Sequence, residues 1–150
     1  MKVKEYMTKE VTTVSSSATF REVGEILYKN AFDILPVIDK KKELLGVVSK
    51  ADLLHAVLPD YFDLLSDFSF VRDFGALEID KDSIFMIERL LVVSDLMTKH
   101  VITIGEDDSL LKAIAVMNKN KVRVLPVVKG NKLIGIISRR DILRAFLTTD

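Results

Sequence analysis

Cysteine and tryptophan are absent from this sequence, proline occurs only three times, and neither sign of charge is in excess. Without cysteine there is no disulfide, no thiolate nucleophile and no cysteine-based zinc or iron–sulfur site. Lysine and arginine total 22 against 22 acidic residues. That balance argues against a nucleic-acid-coating protein, which carries a clear basic excess. No apolar run approaches the roughly 18 residues needed to cross a bilayer, and the opening MKVKEYMTKEVTTV has no apolar signal core. The expectation is a soluble, cytoplasmic protein with no nucleic-acid or membrane partner. No glycine-rich phosphate loop and no nucleophile–base set is visible. The only two histidines, His55 and His100, lack ligand-spaced partners. Neither a catalytic site nor a metal site is expected.

What the chain does have is apolar material and order. Hydrophobic residues make up 49% of its 150 positions, enough for one compact domain or two small ones sharing a core. It also repeats itself. GVVSKADLL (46–54) returns as GIISRRDIL (135–143). At an offset of 90, YMTKEVTTV (6–14) lies over LMTKHVITI (96–104), and DILPVID (33–39) over RVLPVVK (123–129), which pairs Pro36 with Pro126. One residue is lost in the turn between DKKKELLG and KGNKLIG, and the offset becomes 89. An ordered echo of about 55 residues is an internal duplication.

Each copy carries the same structural signals. Val11–Val14 is short and β-rich. Phe20, Val23, Ile26 and Leu27 form a helical stripe, opened by Thr19 and Glu22 at capping-box spacing. ILPVI and LLGVV are apolar strands joined by a lysine-rich turn, and a helix opens at Ser49. The order β-α-β-β-α, twice, gives an α/β fold of the α+β type. A copy of this size buries too little surface alone, so the two copies should pack on each other.

The Met-Thr start, the Leu-Pro-Val strand and the Gly-hydrophobic-hydrophobic-Ser-x-x-Asp phrase recur in order in both copies, over roughly 110 residues. In this the chain resembles a tandem pair of CBS (cystathionine-β-synthase) domains, a Bateman module. The resemblance implies two repeats packed through their sheets about a pseudo-two-fold axis, with copies at 1–58 and 93–150. It also implies a homodimer formed through helices.

Ser-x-x-Asp at a helix start is first of all a cap, and the glycine before it can relieve a crowded strand. The same place also offers free N–H groups and the positive end of a helix dipole, which suit an anion. A neighbouring carboxylate can accept both hydroxyls of a ribose. Two copies of the phrase therefore mean two candidate adenosine sites. The resemblance implies that each cleft combines the aspartate of one copy with the first strand and Leu-Pro strand of the other. One site would use Ser49, Lys50 and Asp52 with Ile102, Thr103, Val124 and Leu125. Its twin would use Ser138 and Asp141 with Thr13, Ser15, Ile34 and Leu35. Each aliphatic member has core packing as its plainer role.

The two sites should differ in charge. Arg139, Arg140 and Arg123 lie around Asp141, where the matching positions around Asp52 are Lys50, Ala51 and Asp33. Paired guanidinium hydrogen bonds suit phosphate, although surface arginines are often only solvated. AMP, ADP or ATP is the expected regulatory ligand, preferring the Asp141 site, and no catalytic cofactor is expected. S-adenosylmethionine or a cyclic dinucleotide is the alternative.

Residues 59–92 match neither copy. They hold eight acidic and three basic residues and six of the eleven aromatics, a composition that packs rather than floats. Asp82 or Ser83 could cap a helix there. The segment would cover a flank or a dimer interface, or act as the surface read by an effector protein. The leading expectation is a non-catalytic sensor of an adenosine ligand; the alternative is an interaction module with empty clefts.

Overall fold

The computed structural model describes residues 1–58 and 79–148. In chain order the elements are α1 (Val3–Tyr6), α2 (Phe20–Lys29), β1 (Leu35–Ile38), β2 (Leu44–Val48), α3 (Lys50–His55) and α4 (Lys81–Leu90). They continue with α5 (Val93–Leu96), β3 (Ile104–Gly105), α6 (Leu110–Asn120), β4 (Val124–Lys129), β5 (Lys132–Ser138) and α7 (Arg139–Leu147). The expected capping box opens α2: Thr19 Oγ1 accepts from the Glu22 amide at 3.2 Å, and Glu22 Oε2 accepts from the Thr19 amide at 3.1 Å. Its stripe buries Val23 and Leu27 completely, with Phe20 and Ile26 partly covered.

Each copy builds a small sheet around a hairpin. β1 pairs antiparallel with β2, and β4 with β5; β3 adds parallel to β4. In copy 1 the pairing expected over Val11–Val14 is confined to Val14, which bridges Val37 in parallel. The reason lies upstream. Thr8 already exchanges hydrogen bonds with Ile136 of the other copy, at 2.8 and 3.0 Å. Residues 9–13 are thus occupied in crossing from one sheet to the other.

That crossing is a general feature. The leading segments of the two copies are exchanged. Val3 is fully buried in a core with Ile104, Leu110, Leu125 and Ile137 of copy 2. Val93 is fully buried among Val23, Leu27, Leu35 and Val37 of copy 1. Burying a side chain of this size contributes about 1.5–3 kcal/mol, so each copy completes the other's core. Backbone bonds follow the same route: Val3 donates to Asp108 at 2.9 Å, and Val93 to Ala18 at 2.8 Å. The copies are contiguous in sequence and interlocked in space.

The glycines of the repeated phrase permit that interlock. A Cβ on Gly46 would sit 2.7 Å from the Thr98 carbonyl oxygen and 2.8 Å from the Met97 sulfur. A Cβ on Gly135 would meet the Met7 sulfur and the Thr8 carbonyl oxygen, each at 2.9 Å. The Met-Thr start and the glycine are therefore one contact, written twice.

Of the 59–92 segment, residues 59–78 lie outside the described residues, and so do 149 and 150. The expected helix is α4, but its cap is neither Asp82 nor Ser83. Asp80 caps it, accepting from the Ser83 amide at 2.7 Å and the Ser83 hydroxyl at 2.9 Å. These bonds hold the Asp80 carboxyl below the usual aspartate range. α4 joins copy 1 at α2 through an Arg21–Glu88 ion pair at 3.3 Å, and it buries none of its own side chains. Among the described residues, no helix is long and apolar enough to cross a membrane.

Candidate functional site

The Ser-x-x-Asp phrase folds as a reciprocal cap in both copies. Asp52 Oδ2 accepts from the Ser49 amide at 2.8 Å and the Ser49 hydroxyl at 3.0 Å, while the Asp52 amide donates to Ser49 Oγ at 3.3 Å. At the second site Asp141 Oδ2 accepts from Ser138 at 2.9 and 2.7 Å, and the return bond is 3.2 Å. The cap uses one oxygen of each carboxylate. The other oxygen differs between copies. Asp141 Oδ1 accepts from Arg144 at 3.3 Å, whereas Asp52 Oδ1 has no partner among the described residues. Asp141 is also the more enclosed, at 9% exposure.

Each aspartate borders a cleft between the copies. The Asp52 cleft, about 530 Å³, takes Ser49, Asp52, Ile102 and Val124 from the expected set. The Asp141 cleft, about 330 Å³, takes Ser138, Asp141, Arg123, Arg139, Arg140 and Ile34. The remaining expected residues lie elsewhere. Leu35 and Leu125 are fully buried in the two cores. Thr103 lines a separate hollow with Lys99 and Leu44, and Thr13 another with Lys9 and Lys42. Ser15 is exposed and shares a hydrogen bond with Ser17 at 2.8 Å. Lys50 is exposed and borders neither cleft.

Extended chain explains most of these placements. Successive side chains point to opposite faces, so Ile102 facing the cleft turns Thr103 away. Thr98, His100 and Val101 line the Asp52 cleft as well, where the chain bends at residues 99 and 100. Sequence reasoning weighed His100 only as a metal ligand, and the bend that carries it to the cleft has no period-two signature. Lys121 was missed as well. It ends α6 in the left-handed region, at φ 54°, and lines the Asp52 cleft. The equivalent position in copy 1 is Ala31, which lines the Asp141 cleft beside Phe32.

The division of charge between the clefts is narrower than the sequence suggests. Arg123 and Asp33 each border both cavities. The Asp52 cleft carries Arg123, Lys121 and His100, and the Asp141 cleft carries Arg123, Arg139 and Arg140. None of these three arginines has a hydrogen-bonded or ionic side-chain partner among the described residues, unlike Arg21 and Arg144. Unpaired cations beside a helix N-terminus can receive a phosphate, and a capping carboxylate can accept from a ribose; Asp52 has a free oxygen for this, whereas at Asp141 a ribose would share or displace Arg144.

Comparison with known proteins fits this geometry. The CBS domain family model matches residues 3–59 and 93–148. The chain belongs to the CBS domain family. It is 33% identical to the chloroplastic CBS domain-containing protein CBSX1 of Arabidopsis thaliana, over 97% of this chain and 64% of that protein. It is 31% identical to the uncharacterized protein MJ1232 of Methanocaldococcus jannaschii, over 96% of this chain and 39% of that one. The chain thus spans about four tenths of the one curated relative and just under two thirds of the other. Among solved structures, CBSX2 of Arabidopsis thaliana in complex with AMP superposes with a TM-score of 0.72 at 30% identity, covering 97% of this chain and 96% of that one. The CBS domain pair of MJ0100, in complex with 5′-methylthioadenosine and S-adenosyl-L-methionine, shares the fold with a TM-score of 0.68 at 23% identity, over 97% and 95% of the two chains.

Proposed function

We propose that this CBS pair is a non-catalytic regulatory sensor. It binds an adenosine-containing ligand, with AMP and its higher phosphates as first candidates, and passes occupancy to a protein partner. One observation carries the reading: each cleft presents a capping aspartate beside unpaired cations, in a cavity lined by residues of both copies. The AMP held by CBSX2 supports it at 30% identity.

Occupancy has a route to the surface. Arg139 borders the Asp141 cleft and also an apolar groove of about 290 Å³ between α6 and α7, with Met117, Ile142 and Phe146. Leu147, 76% exposed, and Leu143 continue that apolar face, and Leu54 and Leu58 expose its counterpart in copy 1. A homodimer through these helices would cover both. On α4, Phe85 and Leu90 are exposed and available to an effector.

A second reading has Asp33 in its favour. A carboxylate bordering both clefts suits the sulfonium or amino group of an S-adenosyl ligand better than a polyphosphate. A thermal-shift series separates the two. At about 100 times Kd a ligand adds about 2.7 kcal/mol, a rise of roughly 5–10 °C for a chain of this length. AMP giving the larger shift supports the nucleotide reading, and S-adenosylmethionine giving it supports the second. No shift with any adenosine ligand at millimolar concentration overturns the sensor in favour of an interaction module with empty clefts.

A further inference from the structure

Asp33 and Arg123 occupy the same position in the two copies, 90 residues apart, and each borders both clefts. Ile34 and Val124, the next residues, do the same. The two cavities therefore share one wall, made from the starts of the two Leu-Pro strands. Its charged groups are one cation and one anion. Neither is engaged in an ion pair among the described residues, so Arg123 is free to turn either way.

We propose, resting on the reading of the clefts as adenine-nucleotide sites, that Arg123 is a single phosphate-binding group serving both, so that a nucleotide in one cleft weakens phosphate binding in the other. A guanidinium holds a phosphate best through a pair of donors on one edge of its plane, and turning that edge into one cleft takes it from the other. The first nucleotide to bind takes that edge. The second meets a wall whose arginine is committed, whose Asp33 remains negative, and behind which a phosphate already sits. Like charges across a thin protein wall are poorly screened compared with charges in water. Adenosine, which has no phosphate, draws on none of this, and its two binding events are independent. The device converts two similar pockets into a graded reader: one nucleotide binds over a low concentration range and the next over a higher one.

The test uses single-cleft proteins. Asp52→Ala leaves the Asp141 cleft as the working site, and Asp141→Ala leaves the Asp52 cleft. Each is titrated calorimetrically with AMP and with adenosine, with and without Arg123→Gln. The Arg123 carbonyl, which accepts from the Arg139 amide at 3.1 Å, is untouched by that change, and a melting curve on each variant verifies the fold. The shared-arginine account expects Arg123→Gln to weaken AMP about tenfold in both backgrounds and to leave adenosine within about twofold. Arg123→Lys, keeping the charge without the fork, should fall between. It also expects the second AMP on the wild-type chain to bind about five- to tenfold more weakly than the same cleft measured alone. Loss of AMP affinity in only one background would assign Arg123 to that cleft and overturn the sharing. Wild-type steps equal to the single-cleft values would overturn the coupling. No AMP binding by the wild-type chain would instead remove the nucleotide reading, and this inference with it.

Discussion

The sulfur of Met7 lies where a side chain on Gly135 would have to go, 2.9 Å from an added Cβ, and the Thr8 carbonyl oxygen is equally close. The pair joins copies whose sequences are more than 100 residues apart at this point. Gly135→Ala should destabilise the fold by about 1–3 kcal/mol, the range for overpacking a fitted contact. Gly46→Ala should be at least as severe, because the nearest atom there is the Thr98 carbonyl oxygen at 2.7 Å, which is backbone and cannot swing aside. At about 2–4 °C per kcal/mol, scanning calorimetry should show melting points lowered by several degrees. Unchanged melting in both variants would mean the interlock is loose.

The capping aspartates should separate stability from affinity. Asp52→Ala and Asp141→Ala each remove a cap, costing about 1 kcal/mol of stability. Each should also lose roughly 1.5–3 kcal/mol of adenosine affinity at its own cleft, the range for hydrogen bonds to a charged group. Asp141 should show the larger stability effect, since Arg144 at 3.3 Å also loses its partner. Denaturant melts and calorimetric titration on the same preparations measure both. A stability loss with affinity intact would reduce the phrase to a cap.

Much of this was legible in the sequence, and the parts that were not share a physical cause. The duplication, the caps at Thr19, Ser49 and Ser138, and the hairpins are local patterns that local spacing reveals. The exchange of Val3 and Val93 between cores was not legible, because nothing in a short amphipathic turn says which of two similar cores it enters. In the site, the aspartates and arginines were visible by type. Thr13 and Thr103 were assigned to the clefts without applying the strand alternation that turns them away. Lys121 escaped because its place depends on where α6 ends, and helix ends are the least certain feature of any sequence pattern.

Lys121 offers a test in which stability and binding move in opposite directions. It holds φ 54° at the end of α6, a conformation that costs a side-chain-bearing residue about 1–2 kcal/mol and glycine very little. The conformation closes α6, with the Lys121 and Val122 amides both donating to the Met117 carbonyl. Lys121→Gly should raise the melting point while weakening AMP several-fold at the Asp52 cleft, and the weakening should shrink as salt rises. Lys50→Ala, outside both clefts, should change neither quantity. Equal nucleotide effects from Lys121 and Lys50 would show that bulk surface charge, not placement, governs binding.

The most direct measurement is a calorimetric titration of AMP into the wild-type chain and into the double variant Asp52→Ala/Asp141→Ala, with circular dichroism confirming that both are folded. The account predicts two AMP per chain in the wild type and no saturable heat in the folded double variant at the same concentrations. A wild-type chain that gives no heat, or a double variant that binds AMP as the wild type does, would contradict it.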